Sequence, residues 1–88
     1  MADEQTVRDQ VLKEISKASG TPRKDLRDDL KLKTDLVISH QNFVVLAQSL
    51  RYLIVSGNPS STLLLREIET RSATVGSVAE LVRKRIAA

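Results

Sequence analysis

Residues 35–55 read Asp-Leu-Val-Ile-Ser-His-Gln-Asn-Phe-Val-Val-Leu-Ala-Gln-Ser-Leu-Arg-Tyr-Leu-Ile-Val. A short polar turn runs directly into the longest apolar segment of the chain. Between Ser39 and Val55 only Arg51 carries a full charge, although charged residues make up 28% of the protein. Phe43, Leu46, Ala47, Leu50, Leu53 and Ile54 share one side of a helical wheel. That spacing predicts a helix from Ser39 or His40 to about Val55, with the stripe buried. Ser39 fits the N-cap, and Asn42 lies three residues on, where a capping box would place Glu or Gln. The opposite stripe is Gln41, Val45, Gln48 and Tyr52, flanked by Val44 and Val55. A solvated helix face is ordinarily charged, whereas this one is neutral and partly apolar. The helix is therefore expected to centre the core and to offer a second face to something else.

On the N-terminal side, Val7, Val11, Leu12 and Ile15 recur at helical spacing and predict a helix from Thr6, as its cap, to Ala18. Ser19-Gly20 followed by Pro22 stops it. Residues 21–38 form a long charged connection in which Leu26, Leu30, Leu32 and Leu36 would pin an irregular loop to the core, with a helical turn near residues 24–29. The alternative is a poorly patterned helix from Arg23 to Leu32. On the C-terminal side, Ser56-Gly57-Asn58-Pro59-Ser60-Ser61 is a turn cluster. A short helix is expected from about Thr62 to Glu69. A last one is capped by Thr74 and carries Val75, Val78, Leu81, Val82 and Ile86 on its apolar side. The fold class is thus all-α: one domain over residues 1–88, with three longer helices, one short helix and a long loop between the first two.

Composition narrows the chemistry. Eighty-eight residues, 41% of them hydrophobic, suffice for one globular domain. The absence of cysteine removes disulfides, thiolate metal sites and thiol nucleophiles. The single histidine, His40, leaves almost nothing from which to build a zinc site or a histidine triad. No glycine-rich phosphate loop is present, because the three glycines are scattered. No enzyme activity is expected. Met-Ala-Asp-Glu-Gln-Thr at the start is polar and the apolar runs are short, so the expectation is a cytoplasmic protein with no membrane contact. Acidic and basic residues balance from Met1 to Ile38. The net charge of +3 therefore sits in the second half, with Arg51, Arg66, Arg71 and Arg83-Lys84-Arg85 set against Glu67, Glu69 and Glu80. The terminal basic turn suits the negative end of a helix dipole.

The layout resembles the acyl carrier protein family, whose signature Asp-Leu-Gly-x-Asp-Ser-Leu marks the entrance to its second helix. The corresponding stretch is Asp35-Leu36-Val37-Ile38-Ser39-His40-Gln41-Asn42, followed by Val44, Leu46, Leu50 and Ile54. Val7, Val11, Ile15, Gly20, Leu26 and Leu32 fall, without a gap, where the family keeps apolar residues and its glycine. Thr74-Val75-Gly76-Ser77-Val78 resembles the family's start of the last helix. Residues 55–73 are longer than usual and align poorly, so the resemblance spans roughly Thr6 to Ile86. It implies a four-helix bundle of acyl-carrier-protein type.

The departures carry the functional reading. In that family a serine at the start of the second helix carries phosphopantetheine. Here the position is His40, while Val37 replaces the glycine, Ser39 the aspartate and Gln41 the leucine. An imidazole cannot stand in for the hydroxyl that is esterified, so the expectation is a carrier-like domain with no cofactor. The alternative is an atypical carrier modified at Ser39, with phosphopantetheine as cofactor. One residue on a helix turns the side chain by about 100°, which counts against that shift. Carrier proteins of this family also present an acidic second helix to their enzymes, and this one has no acidic residue. The implied partner is another protein, or a second copy of the chain, docking on Gln41, Val45, Gln48 and Tyr52. The competing reading has Val45 and Tyr52 covered by residues 56–69.

For His40 as a metal ligand or pH switch, Asp35 is the only carboxylate near it in sequence, and no metal site is expected. The reading left for it is an exposed histidine in a first helical turn. A third reading, a nucleic-acid-binding module using Arg66, Arg71 and Arg83–Arg85, lacks a recognition helix with clustered basic and amide residues.

Overall fold

A computed structural model describes residues 4–87. Its α-helices are α1 (Glu4–Ser19), α2 (His40–Gly57), α3 (Leu65–Ile68) and α4 (Val75–Ala87), and no strand occurs among the described residues. The chain is all-α. The three longer helices pack on one another, and α3 leans on α2. Phe43, Leu46, Leu50 and Ile54 of α2 are buried in the shared core with Val11 and Ile15 of α1 and Val75, Val78 and Val82 of α4. Leu53 is only partly buried. No polar or charged side chain among the described residues is buried.

Thr6 is not the cap of α1. The helix already includes Glu4 and Gln5, both good helix formers, which places Thr6 inside the first turn. The stop is as read. Gly20 takes φ 73° and its amide closes onto the Ser16 carbonyl at 2.9 Å, the left-handed cap that glycine makes without steric cost.

The connection from α1 to α2 is a loop with one 3-10 turn, Arg23–Asp25, and not the alternative helix over residues 23–32. Its carbonyls are committed elsewhere. Leu30 accepts from the Val75 amide at 2.9 Å and Asp28 from the Gly76 amide at 3.0 Å, and Leu32 donates back to the Ala73 carbonyl at 3.1 Å. Thr74 Oγ1 accepts from the Ser77 amide at 3.1 Å. The first three amides of α4, orphans in any helix, are thus satisfied by the loop and by the cap. Gly76 permits this approach, because a Cβ there would lie 3.0 Å from the Asp28 Cβ and 3.2 Å from its carbonyl oxygen. Leu26 and Leu32 are buried and Leu30 and Leu36 partly so, which fixes the loop onto the core as their spacing predicted. Arg8 pairs with Asp28, and Arg23 with Asp9, tying the loop to α1.

Helix α3 is shorter than its sequence suggests. Arg85 Nη1 holds the Thr62 carbonyl at 2.9 Å and Arg51 Nε holds the Leu63 carbonyl at 3.0 Å. A helix through residues 62–64 would need those two acceptors for itself. The segment instead runs extended and buries Leu63. Helix α3 begins only at Leu65, where Glu67 Oε2 accepts from the Leu64 amide at 2.8 Å.

Candidate functional site

The entrance to α2 is built by a tight reversal. Asp35 and Leu36 both donate their amides to the Lys31 carbonyl, at 2.9 and 3.0 Å, and Asp35 Oδ2 accepts from the Lys31 amide at 2.8 Å. The Ile38 amide turns back to the Leu32 carbonyl at 3.1 Å. Between them Val37 takes φ 53°, a left-handed conformation in which Cβ crowds the following carbonyl. Its side chain is 74% exposed, so no burial inside the chain offsets that strain. Ile38 and Phe43, both buried, stand at the two positions of a hydrophobic staple that fixes how the chain enters the helix.

Ser39 is the N-cap, its Oγ accepting from the Asn42 amide at 3.3 Å, and its residue is exposed. Asn42 does not complete a capping box. Its Nδ2 donates instead to the Ala18 carbonyl at 3.1 Å, capping the end of α1.

His40 has a partner that sequence proximity does not reveal. Its Nδ1 lies 2.8 Å from Glu69 Oε2 and 3.0 Å from Oε1. Glu69 sits just after α3, and its side chain is mostly covered while that of His40 faces solvent. Asp35, the carboxylate nearest in sequence, is occupied by the Lys31 amide. Against an ionised carboxylate Nδ1 carries the proton, which leaves Nε2 as the ring nitrogen directed to other partners. Among the described residues no group of three His, Cys, Asp or Glu side chains could hold a metal ion.

Along the rest of α2, Gln41, Val45, Gln48 and Tyr52 are all exposed, Val45 at 58% and Tyr52 at 78%. Val55 is exposed as well and Val44 half-buried. The reading in which residues 56–69 cover Val45 and Tyr52 is therefore overturned. That segment packs into the core through its own Leu63 and Ile68, and Arg51 of α2 donates to its Leu63 carbonyl.

The basic residues at the C-terminus are largely engaged within the chain. Arg85 pairs with Glu67, and Arg83 with Glu80 one helical turn away. The Arg85 guanidinium holds the Glu67 carboxyl below its ordinary range, against a smaller opposing effect of burial. No helix among the described residues is long and apolar enough to cross a membrane. Comparison with known proteins returns no matching family model, no matching curated protein and no matching solved structure.

Proposed function

We propose that the chain is an acyl-carrier-protein-like module that works through protein contacts on α2 and carries no phosphopantetheine. One observation carries this reading: the position where the resembled family holds its attachment serine is His40, and that imidazole is bound to Glu69. A phosphodiester to phosphopantetheine requires a hydroxyl oxygen, which an imidazole does not have. The backbone supports the residue-by-residue alignment. Val37 stands where the family keeps glycine, and it holds the left-handed φ that favours glycine. The exposed neutral stripe Gln41–Val45–Gln48–Tyr52 supports contact by packing in place of charge-steered docking onto basic enzymes.

The second reading, a carrier modified at Ser39, is favoured by one fact: the serine is exposed at the start of the helix. Incubation with a broad-specificity phosphopantetheinyl transferase and coenzyme A, followed by intact-mass measurement, separates the two. The proposal expects no mass gain. A gain that vanishes in Ser39→Ala would replace it with the second reading.

A further inference from the structure

We infer that His40 is a phosphoryl acceptor, its Nε2 taking the phosphoryl group of an acyl phosphate while Glu69 holds the ring. Two observations define the nucleophile. Nδ1 faces both oxygens of Glu69, at 2.8 and 3.0 Å, so the lone pair of the neutral ring lies on Nε2. The His40 side chain is 66% exposed against 16% for Glu69, so the ring is open to a donor in solution while its carboxylate partner is covered. A histidine oriented by a carboxylate in this way is arranged as an activated nucleophile, with Glu69 as its positioning residue. The site needs only that geometry, whether or not the chain is carrier-like.

Charge selects the group transferred. The segments that adjoin the pair, residues 31–39 before His40 and residues 69–74 from Glu69, meet each other. The Leu32 amide donates to the Ala73 carbonyl at 3.1 Å, and Lys31 is bridged to Thr74. Together they carry Lys31, Lys33 and Arg71 against Asp35 and Glu69. Lys33 and Arg71 are exposed and make no ion pair among the described residues, whereas Asp35 accepts from the Lys31 amide. An anionic donor is drawn to such a surface. His40 also stands in the first turn of α2, where the helix dipole favours added negative charge. A neutral acyl group would gain nothing from these charges, and among the described residues no third side chain joins His40 and Glu69 to hold a metal ion.

The step is an in-line displacement. The Nε2 lone pair attacks the phosphorus and an N–P bond forms. The P–O bond to the acyl oxygen breaks, and its electron pair leaves on the released carboxylate. Nothing is oxidised or reduced. Nδ1 keeps its proton, so the phosphorylated ring carries a positive charge that the Glu69 carboxylate neutralises where it develops. An acyl phosphate has the transfer potential to form such an N–P bond, which a simple phosphate ester lacks.

Acetyl phosphate is the probe, mixed with the whole chain and followed by intact mass and ³¹P NMR. The chain has one histidine, so a phosphoryl group on an imidazole reports on His40 alone. The expected product is a gain of one phosphoryl group at Nε2, lost in mild acid, kept in base and absent from His40→Gln. It should form at least about tenfold faster than on free N-acetylhistidine under the same conditions. Glu69→Gln should slow transfer by about tenfold or more at an unchanged far-UV spectrum. It should also bring in the Nδ1 isomer, a change that a merely structural role for Glu69 would not produce. No phosphoryl gain, a rate equal to that of free N-acetylhistidine, a Glu69→Gln variant that reacts like wild type, or an acid-stable gain that persists in His40→Gln would each overturn the inference.

Discussion

His40 Nδ1 lies 2.8 Å from Glu69 Oε2, joining the first turn of α2 to the residue that follows α3. The contact fixes both the orientation of the imidazole and its tautomer, because the carboxylate can only accept. Long-range ¹⁵N–¹H correlation of the imidazole should show Nδ1 protonated in the wild type and a redistribution toward Nε2–H in Glu69→Gln. A wild-type ring already protonated mainly at Nε2 would contradict the contact. The histidine is mostly solvent-facing, so a double-mutant cycle should give a coupling of only about 0.5 kcal/mol.

Val37 should be replaceable with benefit. Its left-handed backbone costs about 1–2 kcal/mol for an L-residue, and its side chain contributes little burial. Glycine removes that cost but adds about 0.5–1 kcal/mol of chain entropy on unfolding. Val37→Gly should raise the urea midpoint slightly, by an equivalent of about 0.5–1 kcal/mol. A clear loss of stability would show that the turn does not hold a positive φ.

Gly76 and Gly20 should respond differently to alanine. At Gly20 nothing lies within 4 Å of an added Cβ, so the cost is the backbone one alone, about 1 kcal/mol. At Gly76 the added atom meets Asp28, whose carbonyl caps α4, and the loop must shift. Gly76→Ala should cost about 1–3 kcal/mol and should increase amide exchange at Val75. Thermal unfolding and hydrogen exchange of the two variants provide the comparison.

Acidification should weaken the fold in part through Glu67. Its carboxyl is held below its ordinary value of 4.5, chiefly by the hydrogen-bonded Arg85 guanidinium. A folded-state value below the unfolded one gives stability that is present above that ordinary value and lost as the pH falls through the lowered one. Glu67→Gln should therefore be less stable than wild type at pH 7, by roughly 1 kcal/mol given the partly exposed pair, and the difference should shrink toward pH 3. Urea midpoints at the two pH values test this. A gap that persists in acid would mean the Arg85 pair is not its source.

The two faces of α2 should separate cleanly under mutation. Leu50 is fully buried, and Leu50→Ala should cost about 2–5 kcal/mol. Tyr52→Ala, at 78% exposure, should leave the unfolding midpoint of the dilute protein within about 0.5 kcal/mol of wild type. A large loss at Tyr52 would mean that its ring packs within the chain.

The chain by itself determined the elements whose signals are local. The 3.6-residue recurrence of Phe43, Leu46, Leu50 and Ile54 placed α2 and its buried side. Ser39 and Thr74 marked the caps, and Gly20 marked the end of α1, because hydrophobic period, side-chain capping and left-handed backbone act over a few residues. It also showed that no thiol, and only one imidazole, is available to any site. Only the tertiary structure decided that residues 23–32 are a loop and that residues 62–64 are extended. The Asp28, Thr62 and Leu63 carbonyls that a helix would have used there are claimed by Gly76, Arg85 and Arg51, which are distant in sequence. It alone joined His40 to Glu69, 29 positions away, where sequence distance had offered Asp35. It alone left Val45 and Tyr52 uncovered, since what covers a helix face depends on where the following segment packs, and that segment packs through Leu63 and Ile68.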